Sequence, residues 1–290
     1  MLDTLPELLQ SYQEAVGLLD KDESPFVETE LDDLIAQTTS DVLQWRLGAL
    51  RQAIGPLPGG LLGHIFARPE SGKTTFCHSE ASFFASQLKG DECLIWINNE
   101  EAAARIKLRF YSAVCGASAD AIVANKAKAV DRFNELGGHR VKFYDAAVVT
   151  VDEVAALCKR YKPRLVIVDQ GDKVVTKRDS SAGNGAERLK LVYDSLREVV
   201  KTANTISKCD MLTIGQASAD AEGVKWLTMA HLDSGKTGKA GAFDFIIGIG
   251  KSHDQAELCL RFITACKNKV RGDHGRYTVS IDESKARYEG

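Results

Sequence analysis

A glycine, a lysine and two threonines follow one another in FARPESGKTTF, residues 66–76, and residues in this order can bind phosphate. A phosphate loop needs a strand that delivers the chain, a tight turn that exposes backbone N–H groups, and a helix that begins at the phosphates. The apolar run GLLGHIFA precedes the turn, and a helix-forming run follows it. Lys73 is therefore predicted to contact the β- and γ-phosphates of a nucleotide, and the Thr74 hydroxyl to bind Mg²⁺.

This loop departs from the usual pattern at its first position. Ala67 stands where a glycine is expected, five residues before Gly72. Alanine is acceptable there if its φ is negative. The alternative, a chance Gly-Lys-Thr in a turn, is disfavoured by the strand and the helix on either side. The residues predicted to surround ATP and Mg²⁺ are Ala67, Arg68, Pro69, Glu70, Ser71, Gly72, Lys73, Thr74 and Thr75.

The letters SGKT recur in AHLDSGKTGK, residues 230–239. The apolar, strand-like run AGAFDFIIGIG follows them, so no helix N-terminus is predicted to face a phosphate at this point. The glycines and lysines of this second segment instead predict a basic loop.

Two apolar strands end next to acidic residues. The run RLVIVDQ contains Asp169 in the position of a Walker-B carboxylate, which is predicted to hold Mg²⁺ through water. Glu100 and Glu101 follow the run CLIWINN, and a carboxylate there can polarise the water that attacks the γ-phosphate. The alternative for the two glutamates is the ordinary enrichment of acids at a helix N-terminus.

Strands and helices alternate from about residue 60 onward. Strands are predicted at residues 60–67, 93–99, 140–146, 164–170, 211–218, 243–251, 260–269 and 276–282. Helices are predicted between them at residues 72–88, 100–116, 150–161 and 185–206. This alternation predicts an α/β domain with a largely parallel sheet covered by helices on both faces. Earlier helices are predicted at residues 2–20, 30–36 and 41–55.

Length and composition restrict the class of protein. The chain has 290 residues and a net charge of −3, which favours one globular core over two and argues against a general nucleic-acid coat. A local basic groove is still compatible with that charge. No apolar run is long enough to span a membrane, and the first residues lack the features of a secretory signal. The seven scattered cysteines predict reduced thiols in the cytoplasm.

Several motifs together resemble the RecA-like hexameric replicative helicases of the DnaB type, including phage primase–helicases. ARPESGKTTF is similar to the family's ARPxxGKT loop, alanine included. NNEEAAARIKLRF resembles the segment with the family's catalytic glutamate, and Arg109 lies nine residues after the first of the two glutamates. Similar runs follow in order at residues 142–170, 211–218 and 263–282, so the resemblance covers about residues 47–289.

The resemblance implies a RecA-like ATPase core at residues 41–290 that forms a homo-oligomer, a hexameric ring, with ATP sites shared between subunits. It selects Glu100 over Glu101 as the catalytic glutamate and makes Gln216 the sensor of the γ-phosphate. It also implies ATP-driven movement along single-stranded DNA in the 5′ to 3′ direction during replication, with a primase, polymerase or loader as further partners. A phage-encoded protein would work in the host cytoplasm.

Two departures from the family pattern affect these expectations. The family's trans-acting arginine position holds Lys269, and the nearest arginine is Arg271, so either side chain is predicted to reach the neighbouring subunit's site. In addition, only residues 1–40 precede the core, where the family has a larger domain. They are predicted to form a helical arm that docks on a neighbouring subunit; a helix packed on its own domain is the alternative.

In rings of this family the DNA-facing loops follow the Walker-B strand and the sensor strand. The corresponding segments are polar and carry spaced basic residues, predicted to bind phosphates of single-stranded DNA: Lys173, Lys177, Arg178, Lys225, Lys236 and Lys239. Ordinary solvated lysines are the alternative. Trp226 is expected to anchor its loop, with base stacking as the second interpretation.

Other functions are compatible with the same motifs. A RecA-like recombinase or a helicase-loading ATPase would use the same fold. A nucleotide-gated DNA clamp would need neither a trans-acting residue nor unwinding.

Overall fold

A computed structural model describes residues 29–177, 184–233 and 238–290. Several predictions lie outside these ranges: the helix at residues 2–20, the second SGKT, and the DNA contacts of Arg178 and Lys236.

The chain divides into two compact units, Met1–Ser40 and Asp41–Gly290. The described part of the first unit contains helix α1, Leu31–Thr39, where a short helix is predicted. Asp32 and Asp33 in its first turn interact favourably with the positive end of the helix dipole. Its role as a docking arm remains a prediction.

The second unit is a nine-stranded sheet with helices on both faces, which confirms the predicted α/β class. The strands are β1 (Leu62–Ala67), β2 (Leu94–Asn98), β3 (Val141–Asp145), β4 (Leu165–Val168), β5 (Asp210–Gln216), β6 (Phe245–Gly250), β7 (Leu260–Asn268), β8 (Arg276–Asp282) and β9 (Arg287–Glu289). The helices are α2 (Gly48–Ala53), α3 (Lys73–Ala85), α4 (Ala103–Cys115), α5 (Ala119–Ala124), α6 (Lys126–Glu135), α7 (Val151–Tyr161), α8 (Gly185–Ser207) and α9 (Gly238–Gly241).

The strand order is β3-β2-β4-β5-β1-β6-β7-β8-β9. The first six strands in this order pair in parallel, and β7, β8 and β9 extend the sheet in antiparallel fashion. The carboxyl ends of all parallel strands therefore meet at one edge of the sheet, which is where open α/β sheets bind ligands.

The sheet separates two apolar cores. Successive residues of β1 alternate between them: Ile65 belongs to the core with Trp45 and Trp96, and Phe66 to the core with Tyr193. Burial on both faces explains why the parallel strands are almost uniformly apolar. It also fixes their register, because a shift by one residue would exchange the two cores.

Residues 41–47 do not form the helical start that the sequence predicts. None of them is helical: Asp41 has a positive φ of 55°, and Leu43 forms an isolated bridge with Leu57. The Trp45 indole is fully buried and donates a hydrogen bond to the Gly55 carbonyl at 2.9 Å. Burial of this large ring in tertiary contacts outweighs the local helical pattern, which survives only in α2.

Four elements have no counterpart in the sequence-based prediction: α5, α6, α9 and β9. Ser118 caps the N-terminus of helix α5, and its side chain accepts a hydrogen bond from the Ala121 N–H. Helix α6 carries few apolar residues, and only Ala129 and Phe133 are buried. Strand β9 has three residues, too few to give a periodic signal.

Among the helices of the described ranges, none combines the length and the apolar character needed to cross a bilayer.

Candidate functional site

The predicted phosphate loop lies between β1 and α3, with a strand before it and a helix after it. Ala67 is the last residue of β1, a conformation with negative φ that alanine adopts without strain. Gly72 is left-handed, with φ of 87°, and directly precedes α3. The Lys73 side chain is buried within the loop, with 7% of the residue exposed. This geometry explains why the first position accepts alanine and the later one needs glycine.

The sheet brings the other predicted residues to the same edge. Gln216, at the end of β5, lies opposite Ala67 in the parallel register. Asp169 directly follows β4, and its backbone N–H donates to the Ile97 carbonyl of β2 at 2.9 Å. Glu100 and Glu101 follow β2.

One cavity of about 570 Å³ opens at this edge, a size suited to a small-molecule ligand. It contains four of the predicted catalytic and metal-binding residues, Lys73, Thr74, Glu100 and Gln216. The remaining lining residues are Arg68, Pro69, Glu70, Gly72, Thr75, Glu101, Arg109, Lys251 and Glu283. The sequence-based prediction did not include Lys251 or Glu283. Lys251 could have been predicted from the apolar run that ends just before it. Strand β6 is parallel to β1, so a residue directly after β6 lies at the same edge of the sheet as the phosphate loop.

Asp169 is 1% exposed, and burial raises the pKa of its carboxyl to about 6. The Lys73 ammonium opposes this rise, while the carboxylates of Glu100 and Glu101 add to it. Its Oδ1 atom has no hydrogen-bond partner among the described residues. A buried carboxylate oxygen without a partner is costly, so this atom is suited to receive a cation or a cation-bound water.

The donor set near the loop fits Mg²⁺. The Thr74 hydroxyl and the Asp169 carboxylate are both oxygen ligands, which Mg²⁺ prefers, and it usually keeps further positions for phosphate and water. In the described part of the chain, no group of three or more His, Cys, Asp or Glu residues could hold a metal ion by itself. The metal would therefore bind together with a phosphate-bearing ligand.

The two neighbouring glutamates have different partners. Arg109 holds Glu101 in a bidentate ion pair, with Nη1–Oε1 at 2.9 Å and Nη2–Oε2 at 2.7 Å. Glu100 is exposed and accepts one hydrogen bond, from the side-chain amide of Gln170 at 2.8 Å. Of the two carboxylates, that of Glu100 is therefore the less engaged, because Arg109 contacts both oxygens of Glu101.

Lys269 and Arg271 lie at the opposite edge of the sheet. They follow β7, whose last residue, Asn268, pairs with Phe245 at the start of β6. One strand length of about 20 Å separates this edge from the phosphate loop. Both side chains are exposed; Arg271 donates at 3.3 Å to the carbonyls of Arg51 and Gln52 at the end of α2. Neither residue reaches the cavity of its own chain.

Three of the predicted DNA contacts lie on described segments with other partners. Lys173 is exposed, and its ammonium lies 3.5 Å from the Asn99 carbonyl. Lys177 is exposed and pairs with Asp152 at 2.6 Å. Lys225 pairs with Glu257 at 2.6 Å and lies over the Phe262 ring. The ion pairs of Lys177 and Lys225 are accessible, so a phosphate could replace their carboxylates.

Lys239 does not fit its predicted role. Its side chain is fully buried, and its ammonium lies 2.6 Å and 2.8 Å from the two carboxylate oxygens of Asp172. The Tyr193 hydroxyl donates to the same carboxylate at 2.6 Å. A lysine held in this way cannot contact DNA; it instead ties α9 to the segment that follows β4. The prediction failed because charge alone does not reveal a buried partner.

The second SGKT segment is followed by a helix, contrary to the prediction. Helix α9 is a single turn of four residues and leads directly towards β6. One turn has little dipole, so the segment still lacks the long helix that follows a phosphate loop.

Trp226 contacts its own domain. Its ring meets Phe262 edge-on, with centroids 5.1 Å apart, and the Arg276 guanidinium lies 5.9 Å from its centroid. These contacts favour the anchoring interpretation over base stacking.

Comparison with known proteins identifies the fold. No family model and no curated protein matches the chain. Among solved structures, the ATPase domain of a helicase matches with a TM-score of 0.70 and 13% identity, covering 91% of this chain and 99% of that one. A DnaB-like replicative helicase, described together with its interactions with primase, matches with a TM-score of 0.74 and 14% identity, covering 99% of this chain and 74% of that one. The chain therefore has the RecA-like fold of the ATPase domains of DnaB-type replicative helicases.

Proposed function

We propose that this protein hydrolyses ATP between the subunits of a ring and uses the energy to move along single-stranded DNA and unwind duplex. One observation carries the proposal. Lys73, Thr74, Glu100 and Gln216 surround one cavity, whereas the cationic pair Lys269 and Arg271 is exposed at the opposite edge. A head-to-tail arrangement of subunits brings such opposite edges together, and a closed set of these contacts is a ring.

The residues divide the chemistry between them. The N–H groups at the start of α3 and the Lys73 ammonium bind the β- and γ-phosphates. Thr74 and Asp169 would hold Mg²⁺, which would supply positive charge beside the phosphate oxygens. Glu100 accepts a proton from the attacking water, with its carboxylate oriented by Gln170.

A cation from the neighbouring subunit completes the site. Lys269 or Arg271 would stabilise the charge that develops on the γ-phosphate during transfer. The protein would then hydrolyse ATP rapidly only when assembled. Gln216 pairs with Ala67 and so lies beside the loop. Its side chain would respond to the loss of the γ-phosphate, and this response would change the conformation of the segment that follows β5.

The remaining parts of the proposal rest on the resemblance and on the fold. Accessible lysines 173, 177 and 225 would contact DNA phosphates without sequence preference. The DnaB-like neighbour is described with its interactions with primase, so we include a primase among the proposed partners. The resemblance in sequence motifs is the basis for proposing a hexameric ring, 5′ to 3′ polarity and a place in the cytoplasm.

Subunit mixing tests the shared site. Lys73→Ala should be inactive in ATP hydrolysis because its own loop is defective, and the double variant Lys269→Ala/Arg271→Ala because it lacks the trans-acting cation. Together they should regain hydrolysis, since a subunit with an intact loop can lie beside a subunit with an intact cation. The single variants at 269 and 271 identify which residue acts. Full activity of the double variant alone would refute the shared site and favour a clamp or a recombinase.

A further inference from the structure

The phosphate loop rests on two buried side chains from the antiparallel part of the sheet. Arg261 of β7 donates from Nε to the Ser71 carbonyl at 2.9 Å. The Tyr288 hydroxyl of β9 donates to the Gly72 carbonyl at 3.2 Å. Arg261 is 1% exposed and Tyr288 is fully buried. These residues lie about 190 and 216 positions away from the loop in sequence.

The two bonds help to fix the direction of two peptide groups, and the Gly72 carbonyl also accepts from the Phe76 N–H of α3 at 2.8 Å. In a planar trans peptide, the carbonyl and the following N–H point in opposite directions. Because the Ser71 and Gly72 carbonyls point at Arg261 and Tyr288, the N–H groups of Gly72 and Lys73 point away from these side chains, on the side of the cavity that both residues line. Neither N–H has a partner within the described ranges. They are free to bind phosphate oxygens.

Packing around the loop leaves little freedom. A Cβ atom on Gly72 would lie 2.7 Å from both Ile281 Cδ1 and the Tyr288 hydroxyl. The Tyr288 ring meets Phe76 of α3 edge-on, with centroids 5.4 Å apart, and its backbone N–H donates to the Ser79 hydroxyl at 3.0 Å. Contacts with β9, as well as with helix α3, therefore restrict the conformation of the turn.

Arg261 is itself held in one orientation. Its Nη1 donates to the carbonyls of Leu258 and Leu260, both at 2.8 Å, and its Nη2 to Glu283 at 3.0 Å. The guanidinium places a fixed positive charge behind the Ser71 peptide, and only a planar fork can make these bonds at once.

We infer that Arg261 and Tyr288 are positioning residues for phosphate binding: they hold the N–H groups of Gly72 and Lys73 towards the nucleotide. This inference rests on the proposed function, because it assumes that the loop binds phosphate. It assigns to β7 and β9 a role within their own subunit, in addition to the trans-acting role proposed for the residues after β7.

Conservative variants separate positioning from folding. Tyr288→Phe removes only the hydroxyl, and Arg261→Lys keeps the charge but loses the fork. Tyr277→Phe is the matched control, because its hydroxyl bonds to Asp273 at 2.9 Å in the same antiparallel region and does not touch the loop. The measurements are the dissociation constants of Mg·ADP and of pyrophosphate by calorimetry, together with the melting temperature.

Tyr288→Phe should weaken the binding of both ligands about five- to tenfold and Arg261→Lys at least as much, whereas Tyr277→Phe should bind like the wild type. Wild-type affinity in both loop variants, even with a lowered melting temperature, would overturn the inference and leave the proposed function intact. A wild-type protein that binds neither ligand would overturn the proposed function and this inference with it.

Discussion

Ala67 ends strand β1 with its side chain fully buried beside β5 and β6. The sequence could predict that alanine is acceptable there, because the strand that delivers a phosphate loop has negative φ. The partners of charged side chains were less predictable from the sequence. The pairing of Arg109 with Glu101, and not with Glu100, depends on how α4 faces the strand end and has no signature in the spacing.

Replacement of each glutamate separates the catalytic candidate from its neighbour. We expect Glu100→Gln to bind ATP normally and to hydrolyse it at least about 100-fold more slowly, because the proton acceptor is lost. Glu101→Gln should retain most of the hydrolysis, since its partner Arg109 has already neutralised that carboxylate. The measurement is steady-state phosphate release at saturating ATP. The reverse order of the two variants would move the catalytic role to Glu101.

His64 predicts a pH dependence of folding stability. Burial on β1, and the ammonium groups of Lys239 and Lys73, lower the pKa of this imidazole well below 6.5. The unfolded chain binds a proton at His64 near pH 6.5 and the folded chain does not, so stability from this residue is present above pH 6.5 and is lost as the pH falls below it. The loss is about 1.4 kcal/mol per pH unit.

Urea unfolding of wild type and His64→Gln at several pH values below 6.5 isolates this contribution, because the other titrating groups are common to both proteins. The free energy of unfolding of the variant should rise relative to the wild type by about 1.4 kcal/mol for each unit of acidification. A difference that does not change with pH would contradict a neutral, buried His64.

At the scale of elements, the sequence predicts most strands and long helices of the core, since period and apolar content are local properties. It does not predict that residues 41–47 are non-helical, because that depends on a buried site for the Trp45 ring, whose neighbours Phe84 and Phe245 come from distant segments of the chain. The same limit explains why the sequence does not predict the burial of Lys239. Its neighbours in sequence are glycines and lysines, and its carboxylate partner lies 67 positions earlier in the chain.

Loss of the Lys239 ammonium should destabilise the domain. Lys239→Met leaves the Asp172 carboxylate largely buried and without its ion partner, which should lower the free energy of unfolding by about 3 kcal/mol. Lys190→Met is the matched control, because Lys190 forms an exposed ion pair with Asp194 and should leave the stability almost unchanged. Chemical unfolding of both variants gives the comparison. Equal stabilities would show that the buried pair contributes nothing.

At the scale of the whole molecule, the order of strands joins residues from six segments at one edge of the sheet. Strand β1 lies between β5 and β6, a neighbour relation that no local pattern reveals. The antiparallel strands carry two proposed roles at opposite ends: Arg261 under the phosphate loop, and Lys269 directly after β7. A shift of β7 would therefore affect the site of its own subunit and that of the neighbour together.

Displacement of a strand from a forked duplex tests the central claim, that ATP hydrolysis at this site drives movement along DNA. With ATP and Mg²⁺, the wild type should release the labelled strand from a fork with a 5′ single-stranded tail, and Lys73→Ala should not. Hydrolysis of ATP stimulated by single-stranded DNA, with no strand released from forks of either tail polarity, would contradict the account.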